Sequence, residues 1–220
     1  MIPYKTKQNN SNLLLELTSN FYAEMDKRRS VRFFSDKPVD RAVIENIILT
    51  ASTAPSGAHK QPWTFCCVSN PDMKRQIRIA AEQEEKINYE SRMSDEWKED
   101  LSAFETNWEK PFIETAPWII VVFKRSYEWK QKADGSKYKH QNYYVTESCG
   151  IACGMLITAI HHAGLCTLTH TPSPMNFLSK ILQRPEEEKP FLLLPVGYAA
   201  DDCKVPDLNR KSMEAISVWY

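Results

Sequence analysis

The sequence predicts a three-layer domain with helices on both sides of a sheet, of class α+β or α/β. Three observations carry this. Two apolar runs of strand length, "PWIIVVFK" (117–124) and "PFLLLPVGY" (190–198), lack the polar alternation of a strand with a wet face, so they read as central strands covered on both sides. Helical patterns alternate with strand-length runs along the chain. The 220 residues suffice for one sizeable core, and no repeat or low-complexity linker divides them, so 1–220 reads as a single domain.

Each element has its own warrant. Leu13, Leu14, Leu17, Phe21 and Met25 recur at the spacing of an amphipathic helix. Val39, Val43, Ile44, Ile47, Ile48 and Ala51 form a second stripe, preceded by Pro38 and ended by Pro55. Residues 63–69 read as a buried strand, after which Asn70-Pro71 caps a long, one-sidedly charged helix to about Met93. The polar stretch 125–141, which follows the first central strand, reads as a loop. An apolar helix over 142–163 runs through Ala152, Leu156, Ile157 and Ile160 and closes at Gly164. A short strand over 165–169 and a helix from Ser173-Pro174 to about Gln183 precede the last central strand. Periodicity leaves α+β and α/β both open.

Composition excludes several function classes. The 28 Lys plus Arg equal the 28 Asp plus Glu, so no global field recruits nucleic acid or an anionic membrane. The N-terminal segment lacks the cationic start and long apolar core of a secretion signal, and no run reaches the roughly 18 apolar residues that cross a bilayer. Cys66, Cys67, Cys149, Cys153, Cys166 and Cys203 show no paired C-x-x-C spacing. They read as small buried hydrophobes of a reducing, cytoplasmic protein, with Cys149 and Cys153 on one helix face.

No common nucleotide cradle, nucleophile elbow or H-E-x-x-H metal motif is present. His161-His162 at a helix end suits a surface position near the negative pole of the helix dipole, and no metal site is expected. What remains is dispersed. "KRRSVRFF" (27–34) sets Arg28, Arg29, Ser30, Val31 and Arg32 where guanidinium forks would hold a phosphate monoester, against the plainer reading of a solvated basic turn. "PSGAHKQPW" (55–63) is a small-residue loop in which Ser56, Gly57 and Ala58 would let a flat ring approach main-chain donors, while His59 and Lys60 receive no catalytic role. "TLTHTPSP" (167–174) supplies Thr169 and Thr171 as hydroxyl donors around His170, and "DLNRK" places Arg210 near the C-terminus. Glu85 and Tyr89 are four apart on the long helix, a spacing that by itself more often means solvation. Lys110, in "TNWEKPF", cannot be tied to them by spacing.

Taken together, "RRSVRFFSDKPV", "TAPSGAHKQPWTF", "EEKINYESRM", "TNWEKPFIETAP", "IACG", "LPVGY" and "VPDLNRK" resemble the iodotyrosine deiodinases of the FMN-dependent nitroreductase superfamily, over residues 21–210. Arg-Arg-Ser followed by a Pro-Ser-Gly loop would suggest only the superfamily; Glu85, Tyr89 and Lys110 are the specific part. The resemblance implies an α+β, nitroreductase-like three-layer fold with a central mixed sheet, built as an intertwined homodimer. FMN would sit at the subunit interface. It implies that Arg28, Arg29, Ser30, Val31, Arg32 and Arg210 hold the FMN phosphate and ribityl chain, with Ser56, Gly57, Thr169, His170 and Thr171 beside the ring. Thr171 would face flavin N5 as the catalytic hydroxyl.

By the same resemblance Glu85, Tyr89 and Lys110 belong to a substrate lid over about 82–112 and grip the ammonium and carboxylate of a halotyrosine, while the Ala58 N–H meets the phenolate oxygen. The expected reaction is reductive dehalogenation of mono- and diiodotyrosine to tyrosine and iodide. Electrons would come from a separate reductase, and the resemblance suggests a soluble bacterial homologue. Two rival readings stand beside it: a broad-specificity FMN nitroreductase or quinone reductase, and a non-catalytic protein that binds FMN or halotyrosine.

Overall fold

A computed structural model describes residues 1–7, 10–104 and 106–220. Its frame is a four-stranded sheet in the order β1 (Trp63–Val68), β2 (Trp118–Arg125), β6 (Glu188–Gly197), β5 (Cys166–Thr167). The two apolar runs are its central strands, in register Trp118↔Val196 to Arg125↔Glu188 with a bulge between Val122 and Phe123. All three strand pairs are antiparallel, which resolves the class to α+β. A parallel bridge between Ser30 and Thr167 makes the sheet mixed.

Strand alternation sorts the central side chains into two cores. Ile119, Val121, Phe123 and Leu193 meet Ile77, Phe112, Ile113 and Leu178 on one face. Ile120, Val122, Leu194 and Val196 meet Ile44, Ile47, Leu156 and Ile160 on the other. The first set of partners comes from α3 (Pro71–Ile87), α5 (Phe112–Thr115) and α7 (Asn176–Ile181). The second comes from α2 (Arg41–Ser52) and α6 (Val145–His162). Each fully buried aliphatic or aromatic side chain contributes about 1.5–3 kcal/mol, so these two faces dominate the stability.

Caps explain the helix starts. The Asp40 carboxylate accepts from Ala42 N, and the Asn70 side chain accepts from Met73 N with Pro71 at the first helical position. Beyond Ile87 the helix widens into a π turn, Asn88–Arg92, which carries it to the expected end near Met93. Gly164 closes α6 at φ +73°. Two short helices, α4 (Asp95–Ser102) and α8 (Met213–Ile216), have no counterpart in the sequence reading.

Three expectations are corrected. Residues 125–141 are not a loop but a hairpin of β3 (Tyr127–Gln131) and β4 (Lys137–Gln141), whose side chains are almost all in water, so no apolar face announces it. The helix expected from Ser173-Pro174 begins only at Asn176. Cys149 and Cys153 are buried as expected, and burial pushes their thiols up to about 11 and about 12, but Cys67 is exposed and Cys66, Cys166 and Cys203 are half-buried. The N-terminal α1 (Ser11–Asp26) forms where its stripe predicts, yet buries no residue within the chain. Among the described residues no helix is long and apolar enough to cross a membrane.

Candidate active site

Two cavities share Arg32 in their linings. The first, of about 280 Å³, is lined by Arg28, Arg29, Ser30, Arg32, Pro206, Leu208, Asn209, Arg210 and Phe104. Residues 28–34 leave the end of α1 extended and are strapped to the sheet by the Ser30–Thr167 bridge and by Val31 N donating to Thr167 O (3.2 Å). The chain at 206–210 folds back over them. Arg29 donates to the Pro206 carbonyl, while Arg210 pairs with the Asp26 carboxylate (2.6 Å) and donates to Arg28 O (3.1 Å). Guanidinium groups held this way, with the Ser30 hydroxyl, are a donor set for a phosphate. Val31 turns its side chain into the core and contributes backbone only.

The second cavity, of about 180 Å³, joins the end of α3, the π turn and the segments 106–112 and 168–173. Here tertiary structure supplies the link that spacing could not. Lys110 Nζ lies 3.3 Å from Glu85 Oε2, and both side chains are close to fully buried. The Tyr89 ring sits 5.6 Å from that ammonium. Burial pulls the Lys110 ammonium below its ordinary pKa, and Glu85 works against this. Burial raises the Tyr89 phenol, which a hydrogen bond to Thr106 partly offsets. The backbone N–H of Lys110 donates to Glu82 Oε1 (2.7 Å), and Asn88 Nδ2 ties the π turn to Ser173 O (3.0 Å).

Thr169, His170 and Thr171 form one wall. His170 is fixed by a two-way backbone bridge to Leu193, so alternation turns the two threonines out and the imidazole in. Its ring meets the Phe112 ring edge-on at 5.6 Å. Burial, then Lys110 and Arg32, hold its pKa down to about 3, so it is neutral. Among the described residues its Nε2 has no hydrogen-bond partner.

The loop 56–58 is not brought to these cavities within the chain, since none of its residues lines either. It packs on the start of α6: Gly57 N donates to Ser148 Oγ (3.3 Å), and a Cβ on Gly57 would stand 2.8 Å from Tyr143 O. The Ser56 hydroxyl accepts from Gln61 N (2.9 Å) and staples the turn. Ala58, His59 and Gln61 all have φ near +50°, a left-handed run that is costly for non-glycine residues and typical of functional loops.

Sequence reading missed several residues of the second cavity: Asn88, Met93, Trp97, Leu101, Thr106 and Phe112. Trp97 and Leu101 belong to α4, whose start is legible afterwards in Ser94-Asp95-Glu96, a capping serine and two first-turn acids. Among the described residues no three His, Cys, Asp or Glu side chains gather as for a metal ion.

Comparison with known proteins adds to this geometry. Residues 25–198 match the Nitroreductase family. The chain is 58% identical over 219 residues to an iodotyrosine deiodinase of Haliscomenobacter hydrossis, covering 100% of this chain and 97% of that one. It is 47% identical to the iodotyrosine deiodinase of Danio rerio, over 99% of this chain and 72% of that one. Its fold is similar, at a TM-score of 0.76 and 30% identity, to a crystal structure of oxidized iodotyrosine deiodinase bound to FMN and 3-iodo-L-tyrosine, over 88% of this chain and 96% of that one.

Proposed function

The chain belongs to the Nitroreductase family, and from that membership we propose that it is a flavoprotein oxidoreductase that removes halogen from halotyrosines. The observation that carries the reading is the buried Glu85–Lys110 pair with the half-buried Tyr89, beside an arginine-lined cavity. The residues fit FMN. Arg28, Arg29, Ser30, Arg32 and Arg210 suit its phosphate and ribityl chain, and the outward Thr169 and Thr171 hydroxyls are polar groups left for a ring system. When bound, FMN supplies the two electrons that, with a proton, exchange the carbon–halogen bond for carbon–hydrogen and release halide.

The protein's part is grip, orientation and exclusion of water. Glu85 and Lys110 satisfy one another in this structure; a zwitterion replaces that one ion pair by two, its ammonium on Glu85 and its carboxylate on Lys110. A ligand with only one charged end leaves a buried partner unpaired, which is expensive. Tyr89, whose phenol burial holds above its ordinary pKa, supports the same end of the ligand. The described residues of segment 82–112, which leave out 105, would form the lid that closes over the ring and excludes water. The exposed Thr171 hydroxyl would serve as a donor to the flavin ring, and the Ala58 N–H would meet the phenolate oxygen. Because the loop 56–58 lies away from both cavities in its own chain, a second copy brings Ser56, Gly57 and Ala58 to the site, which makes the working unit a homodimer.

The test is a pair of titrations followed by the absorbance of the oxidised flavin. Two charge-assisted contacts of about 1.5–3 kcal/mol each favour 3-iodotyrosine over 2-iodophenol by about 100-fold or more. Equal binding of the two would replace this reading by a broad nitroreductase, and halide release under dithionite separates an enzyme from a binding protein.

A further inference from the structure

We infer that Glu82, which lines neither cavity, is the positioning residue that aims Lys110 at the carboxylate of the ligand. The inference rests on the halotyrosine reading above and deepens it. Glu82 lies three residues before Glu85 on α3, hence on nearly the same face. Its side chain is 16% exposed, and one oxygen, Oε1, accepts from both Arg78 Nε (2.7 Å) and the backbone N–H of Lys110 (2.7 Å).

The carboxylate is itself held in place. Arg78 reaches Glu114 Oε2 with its other arm (3.0 Å), and Lys74 Nζ, buried, donates to the carbonyls of Glu114 (2.8 Å) and Ala116 (2.7 Å). The return segment is therefore clamped to α3 at two places, Lys110 and 114–116. The Lys110 carbonyl in turn accepts from Ile113 N (3.1 Å), so its backbone is fixed on both sides. A four-carbon stem starting from a fixed Cα carries the ammonium to a small volume, between Glu85, the Tyr89 ring and the Asn107 carbonyl. One helix thus supplies both charges of the site: Glu85 directly, and Lys110 through the Glu82 bond to its backbone. Preorganisation of this kind is read in affinity for the group it serves and leaves other ligands alone.

The experiment uses the FMN-loaded protein and measures dissociation constants for 3-iodotyrosine, 2-iodophenol and FMN. Removing the acceptor in Glu82→Ala frees the Lys110 backbone and weakens 3-iodotyrosine about tenfold, the equivalent of one lost hydrogen bond to a charged group. Binding of 2-iodophenol, which has no carboxylate, and of FMN stays within about twofold. Glu82→Gln keeps an acceptor oxygen and restores most of the loss. Should Glu82→Ala not fold, Arg78→Leu, which loosens the same carboxylate, gives the same pattern at smaller size. Unchanged iodotyrosine binding, an equal loss for all three ligands, or a Gln variant no better than Ala overturns the role. A wild type that fails to prefer iodotyrosine would instead overturn the functional reading beneath it.

Discussion

His170 illustrates how single residues of the cleft are set by their neighbours. Its imidazole is buried, flanked by Lys110 and Arg32, and keeps its proton off down to about pH 3. In the unfolded chain the same group protonates near its ordinary value of about 6.5. Between those values the unfolded state binds more protons, so stability falls as pH falls from about 6.5. At pH 5 the loss reaches about 2 kcal/mol relative to pH 7.5. Urea unfolding at the two pH values should show it, and His170→Phe should abolish most of the difference; an unaltered pH dependence in that variant would refute the buried neutral state. Residue identity was legible here only in part. Glu85 and Tyr89 are marked by helical spacing, but Lys110 joins them through a fold of the chain that no local pattern encodes. The neutrality of His170 likewise rests first on its burial and then on two cations, 60 and 138 positions away in the sequence.

At the scale of elements, the sheet is tied to the helical layer by a carboxylate that no local pattern singles out. Glu188, at the start of β6, has no exposed side-chain surface. It accepts from Thr64 Oγ1 on β1, Arg125 on β2 and Arg184 after α7, each at 2.7 Å. Burial alone would raise its pKa; the bonds from Arg184, Arg125 and Thr64 outweigh this and hold it below the ordinary value. The stability it contributes is therefore present above about pH 4.3, its unfolded value, and is lost as pH falls through the lower folded value. Glu188→Ala leaves two arginines without their anchor and should cost about 3–5 kcal/mol in urea unfolding at neutral pH, with Glu188→Gln costing less. Unfolding at the wild-type urea concentration would contradict the clamp. The same scale shows why buried strands were legible and the hairpin was not. Runs such as "PWIIVVFK" announce themselves by burial on two faces, whereas β3 and β4 pair in water. Their signals are weaker: the Asp134-Gly135 turn, with Gly135 at φ +84°, and the Tyr127–Trp129 pair packed against Lys139.

For the whole molecule, the surface left bare by one chain points to how it assembles. α1 buries no residue, yet Leu14, Leu15, Leu17, Phe21 and Tyr22 are about half exposed or more. At the other end Ile216, the last residue of α8, and Val218, Trp219 and Tyr220 beyond it stand in water. Apolar residues concentrated on two terminal segments mark interaction surface, and a helix without a packed face is marginal by itself. In the proposed homodimer a second copy that covers both segments and brings its 56–58 loop to the paired cavities would make assembly and cofactor binding one event. Stable dimers bury on the order of 1,200–2,000 Å² or more, so such an interface needs both segments of each chain rather than a single side chain. The holoprotein should therefore sediment at about twice the 25.5 kDa chain mass. Deleting 213–220 should shift it toward monomer and weaken FMN by about tenfold or more, because a ligand that binds only the assembled state loses affinity as that state is depopulated. The helical circular dichroism should change little, since α8 spans only four residues. A truncated protein that stays dimeric, or a monomer that keeps full FMN affinity, would show that the site is complete within one chain and that the loop 56–58 serves only to brace α6.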